Sequence, residues 1–153
     1  MAYRRSQESF AEAKAADIGK RRGFHVMPTK VRITVGNVRL RAELFDTACA
    51  KAIVERLPIN ARPDEWGDEY YFEIPVTASL DETATTKVKV GDIGYWPPGR
   101  AMAIFFGRTP MSTGSDPVPA SAVNLVGKII DDATLLKKAK GAAEITIEVL
   151  QGP

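Results

Sequence analysis

The chain has 153 residues, 44% of them hydrophobic and 26% charged, with a formal net charge of +2. This length suits one domain that buries roughly 70% of its unfolded surface, and the near-neutral balance gives no electrostatic footprint for nucleic acid or an anionic membrane surface. A single histidine and a single cysteine exclude a Cys/His zinc site and an internal disulfide framework, and no apolar run reaches the roughly 18 residues of a membrane span.

Residues 1–30 read as an arm ahead of the main domain. MAYRRSQESFAEAKAA is basic at its start but has no apolar stretch behind it, so no secretory leader is expected. Together with the scarcity of cysteine this makes a cytoplasmic protein the expectation. SQESFAEAKAADIG fits a short helix with Ser6 as N-cap and Gly19 near its end. Its apolar face is mostly alanine, which is weak alone. The arm is either a solvated tail or a lid or dimer clasp, anchored over the barrel mouth by Phe10 and Ile18; a clasp would make the protein a homodimer. His25 lies in this arm, which leaves a Ser-His-Asp triad without a placed base.

From residue 31 to 150 the pattern is that of one domain. VRITVG and VRLRAEL alternate around Gly36–Asn37 and predict a β-hairpin. DTACAKAIVERL, residues 46–57, predicts a helix capped by Asp46 and stopped by Pro58. Ala50, Ile53, Val54 and Leu57 form its apolar face, with Cys49 beside it as a small core residue. INARPDEWGD is a loop and YYFEIPV, residues 70–76, a strand. KVKVGDIGYW continues the strand pattern. MAIFFG, residues 102–107, is apolar at every position and predicts a strand buried on both faces. RTPMSTGSDPVPAS is a long Pro/Gly/Ser loop, AVNLVGKII a strand, and DDATLLKKA a short helix starting at Asp131 or Asp132. EITIEVL is a last alternating strand. Many short strands with two short helices predict a mainly β protein, a closed antiparallel barrel with an N-terminal extension. Neither G-x-x-x-x-G-K-[ST] nor G-x-G-x-x-G occurs, so no phosphate-cradling loop is signalled.

GYWPPGRAMAIFFGRTP, residues 94–110, concentrates the unusual chemistry. Pro97–Pro98 fixes the backbone and removes two donors, so the chain must leave any central ladder there. In the architectural reading, Tyr95 and Trp96 cover one barrel end while Met102, Ile104 and Phe106 fill the interior. In the functional reading the proline corner holds Trp96 as a rigid pocket wall. Trp66, Tyr71 and Phe105 join it. Period-2 spacing puts Glu69 and Glu73 on the strand face of Tyr71, and these glutamates, Arg100 and Arg108 are the polar handles.

The segments VRITVGNVRLRAELFDT, WGDEYYFEIPV, VGDIGYWPPGRAMAIFFGRTP and ASAVNLVGKI, in this order, resemble the bacterial and archaeal cyclophilin-like domain family. The resemblance covers nearly everything after residue 30 and implies a small β-barrel with two helices, without an assigned activity. Arg100 stands where the family has asparagine, and Met111 where it has alanine. These departures imply a site adapted to one ligand. The arginine, glutamine and histidine block of true cyclophilins has no match here, which weakens peptidyl-prolyl isomerase activity as a reading.

The expected function is binding of an apolar small molecule, with no metal or cofactor. If the protein is an enzyme, it is a cofactor-independent isomerase or cyclase that works by holding a substrate in a reactive conformer. Tyr71, Glu69 and Arg100 are the candidate catalytic residues; Trp66, Tyr95, Trp96, Phe105, Arg108 and Met111 are the candidate ligand-binding ones. A non-catalytic interaction or structural subunit is the alternative.

Overall fold

The structure is a computed structural model and describes residues 27–151. Residues 1–26 of the arm, with its expected helix and the anchors Phe10 and Ile18, lie outside the described residues, and Thr29 and Lys30 at its end already belong to the first strand. TKVRITV and VRLRAEL form β1 (Thr29–Val35) and β2 (Val38–Leu44), paired antiparallel around Gly36. Gly36 has φ +58, which a side chain would strain. The alternation sends Val31, Ile33, Val35, Leu40, Ala42 and Leu44 into the core.

Helix α1 (Ala48–Val54) is shorter than the sequence pattern suggests. Its cap is Thr47 rather than Asp46, because the Thr47 Oγ1 accepts from the Ala50 N–H at 3.2 Å. Cys49, Ala50 and Ile53 are its buried residues. The remaining strands are β3 (Ile59–Ala61), β4 (Asp64–Glu65), β5 (Glu69–Glu73), β6 (Ala84–Thr85), β7 (Asp92–Trp96), β8 (Ala101–Phe105), β9 (Val123–Ile129) and β10 (Ile145–Val149). A 3-10 turn, Pro97–Gly99, joins β7 to β8. The second expected helix is also 3-10, Ala133–Ala139, capped by Asp132 through the Thr134 N–H at 3.0 Å. Asp131 is occupied elsewhere, paired with Arg41 at 2.7 Å.

All ladders are antiparallel, in the order β3-β10-β1-β2-β9-β7-β8-β5-β4, with β6 also on β9. The sheet is strongly curled, but it forms a half-barrel and not the closed barrel expected from the sequence. Strands β3 and β4 occupy its two edges and share no ladder. They are successive pieces of chain separated only by Arg62 and Pro63, and Pro63 has no N–H to donate across the gap. The covalent chain therefore bridges what hydrogen bonds would bridge in a closed barrel.

The main core fills the curl and takes side chains from β1, β2, α1, β5, β7, β8 and β10. Tyr70 and Phe106 meet there with ring centroids 4.5 Å apart, and the Tyr70 hydroxyl donates to the Leu136 carbonyl at 2.8 Å. A second, smaller cluster lies on the other face, made of Val88, Ala103, Phe105 and Val123. The five consecutive residues of β8 are all buried, with the two clusters on its two faces, which is why AMAIF lacks any polar alternation.

A register shift between Leu125 and Gly127 gives β9 a bulge where it pairs with β7. On its other side Gly127 pairs with Leu44 of β2. A Cβ at Gly127 would run into the Glu43 carbonyl oxygen and lie 2.9 Å from the Leu44 side chain. Gly127→Ala is therefore expected to destabilise the fold by about 2–3 kcal/mol. The measurement is a urea titration, in which the midpoint falls while the slope stays unchanged.

Candidate functional site

Alternation along three paired strands builds the site on the outer face of the sheet. In β5, Tyr70 and Phe72 go to the core, so Glu69, Tyr71 and Glu73 face the other way. Across the ladders Tyr71 pairs with Ala103, which pairs with Gly94; Trp96 pairs with Ala101. Ala103 and Gly94 have little or no side chain, so the space between the tall residues Tyr71 and Trp96 stays low. A Cβ at Gly94 would come within 2.8 Å of the Val123 side chain, so that position requires glycine.

The result is a partly open pocket of about 140 Å³ lined by Trp66, Glu69, Tyr71, Trp96, Pro119, Ala120 and Val123. Trp66 arrives from the turn between β4 and β5. Gly67, at φ +61, makes that turn tight, and an added Cβ would lie 2.8 Å from the Arg108 carbonyl oxygen. Trp96 is oriented from two sides: its Nε1–H donates to Ser121 Oγ at 2.7 Å, and its six-membered ring lies over Gly99. The last wall comes from the end of the long loop before β9. That loop is tied down internally. Thr109 Oγ1 donates to the Val118 carbonyl at 2.6 Å, and Ser112 Oγ donates to the Asp116 carbonyl at 2.7 Å.

Glu69 is the exceptional group. It is 7% exposed, and its Oε1 is the one buried side-chain polar atom among the described residues without a hydrogen-bond partner. Burial pushes its carboxyl up from 4.5 to about 7. No ion pair among the described residues includes it; neighbouring Asp68 takes Lys140 at 2.6 Å and Lys137 at 3.9 Å. An unsatisfied buried carboxyl costs stability unless something in its site compensates.

The structure brings Trp66, Glu69, Tyr71 and Trp96 together and leaves the other candidates outside the pocket. Tyr95 points opposite to Trp96, into the core; its hydroxyl donates to the Val76 carbonyl at 2.7 Å and accepts from the Ala78 N–H at 3.2 Å. Tyr95 and Trp96 thus do not share one barrel end. Phe105 is fully buried in the cluster beneath the pocket. Arg100 pairs with exposed Glu73 at 3.4 Å, and with φ 47 it takes the left-handed position that ends the proline corner. Arg108 donates to the Ser112 carbonyl, and Met111 is exposed on the same loop. Pro119, Ala120 and Val123 were not among the candidates. The sequence marks residues 108–121 only as a long Pro/Gly/Ser loop, and nothing local says which residues its end faces. Among the described residues no three His, Cys, Asp or Glu side chains gather to hold a metal ion, and no helix is long and apolar enough to cross a membrane.

A mainly β half-barrel with an aromatic pocket on its outer face defines the class. The family model described as Cyclophilin-like matches residues 29–148, and the chain belongs to this family. It is similar to a hypothetical protein from Archaeoglobus fulgidus known from its solution structure. The TM-score is 0.68 at 33% identity, covering 80% of this chain and 95% of that one. No curated protein matches the chain. Fold and relative leave the activity to be argued from the site.

The Glu69 carboxyl holds its proton more tightly in the folded than in the unfolded state. Its contribution to stability is therefore fully present below about pH 4.5 and declines as pH rises toward about 7, then levels off. Burial also raises the carboxyls of Asp81 and Asp92, so the difference between two proteins, not one curve, reports Glu69. Glu69→Gln is expected to flatten this part of the profile and gain on the order of 2 kcal/mol relative to the parent at about pH 8. Denaturation midpoints of both proteins across this pH range measure it; parallel curves would contradict the assignment.

Proposed function

We propose that this cyclophilin-like protein binds a small molecule by inserting one apolar group, about the size of a single ring, between Tyr71 and Trp96, with Glu69 as the polar contact. The observation that carries this reading is the partnerless Glu69 oxygen at an otherwise apolar, aromatic pocket. Ligand sites combine such walls with a few placed polar groups. A volume near 140 Å³ resembles the engineered apolar cavity of about 150 Å³ that takes benzene. One group is held and the rest of the ligand stays outside.

The catalytic form of this reading is an isomerase or cyclase that needs no cofactor. Fixing a flexible substrate in a near-attack conformer supplies up to roughly 7–11 kcal/mol. A carboxyl that changes protonation near neutrality suits proton transfer to or from such a substrate.

Both tryptophans of the chain line the pocket, so all indole fluorescence reports on it. A panel of small molecules with one ring-sized or branched apolar group, in neutral, cationic and anionic forms, is expected to contain compounds giving a saturable change in emission. Tyr71→Ala is expected to weaken their binding about tenfold or more, while Arg100→Ala leaves it unchanged. Equal affinity in the parent and in Tyr71→Ala, confirmed by calorimetry, would place the ligand elsewhere and defeat the proposal.

A further inference from the structure

The pocket has an electrostatic sign. Trp66, Tyr71 and Trp96 supply three aromatic rings, whose faces carry the negative part of the quadrupole. Glu69 supplies the only carboxyl among the lining residues, and Tyr71 the only other titratable group. Pro119, Ala120 and Val123, the rest of the lining, bring no charge. The cations of the adjoining segments are engaged elsewhere: Lys137 and Lys140 with Asp68, Arg100 with Glu73, and Arg108 with the Ser112 carbonyl.

Three ligand types can be compared against this lining. An anionic group is repelled by ionised Glu69 and by three electron-rich ring faces, and gains a hydrogen bond only where the carboxyl is protonated. A neutral acceptor gains one hydrogen bond from the protonated carboxyl and only dispersion from the rings. An alkylated ammonium group gains Coulomb attraction from ionised Glu69 and cation–π attraction from each ring it faces, so every lining term has the same sign. Its methyl groups also suit apolar walls that offer few hydrogen-bond acceptors. We infer that the pocket is a receptor for a substituted ammonium group, with Glu69 as counter-ion and Trp66, Tyr71 and Trp96 as the aromatic cage. This inference rests on the reading of the pocket as a small-molecule site and adds the charge of the ligand.

The test is calorimetry on the full chain at matched ionic strength with three probes of similar shape: tetramethylammonium, neopentyl alcohol and pivalate. At about pH 8 tetramethylammonium is expected to bind at least about tenfold more tightly than neopentyl alcohol, and pivalate more weakly than either. The ammonium ion must displace the Glu69 proton, so its affinity is expected to fall about tenfold for each pH unit below about 7 and to be level above it. Glu69→Gln abolishes both the preference and the pH dependence while still binding the alcohol; Glu69→Asp, which keeps the charge, keeps the preference. If the alcohol binds as tightly as the ammonium ion, or the ammonium affinity rises as pH falls, the cation assignment is overturned and the pocket itself stands. If none of the three probes binds, both readings are overturned.

Discussion

Strand β8 has no access to water on either face, and the organisation of the molecule depends on that burial. A sheet that curls can cover only its concave side with its own strands and helix. The convex side of Ala101–Phe105 has to be covered by something else. Val88 and Val123 do part of this, with Tyr71, Trp96 and Leu125 packed around them. The pocket lies where that second cover is incomplete, above the small residues Ala103 and Gly94. Its existence follows from packing a flat row between two tall side chains.

Glu69 is best understood against this arrangement. It pairs with Phe105 at the end of β8, where the ladder is fully enclosed, and its side chain follows Tyr71 onto the covered convex face. Most polar side chains brought so deep are satisfied. Asn124, fully buried, accepts from the Asp81 N–H and donates to the Ser79 carbonyl, both at 2.9 Å, and so pins the loop that approaches β6. Glu69 has no such structural duty among the described residues. It is a buried, ionisable group whose Oε1 has no hydrogen-bond partner among the described residues.

Much of this was legible in the sequence. Period-2 alternation identified the first hairpin, β5 and β10, and the uninterrupted apolar run of β8 announced a strand covered twice. The same alternation placed Glu69 with Tyr71, because parity along one strand is a local property. It failed where information had to cross between strands. Tyr95 and Trp96 are adjacent, so they read as one aromatic unit, yet the same parity rule sends them to opposite faces. Arg100, Arg108 and Met111 stand out as charged or large residues near the corner, but their partners are Glu73 and the backbone of their own loop. Whether the barrel closes depends on edge pairing between β3 and β4, and two strands of three and two residues carry too little pattern to reveal it. The contribution of Pro119 and Ala120 depends on where a long loop returns, which no local spacing encodes.

The alternation of β5, β7 and β8 has one more consequence. Tyr70, Phe72, Ile93, Tyr95, Met102 and Ile104 belong to the core, while Glu69, Tyr71, Gly94, Trp96 and Ala103 belong to the opposite face. Two messages are interleaved on the same three strands, each read at every second residue and offset by one. The first fills the concave core, and the second covers the convex side of β8 and lines the pocket. Glu69, Tyr71 and Trp96 can therefore be exchanged without opening the concave core, whereas Gly94, pressed against Val123, cannot.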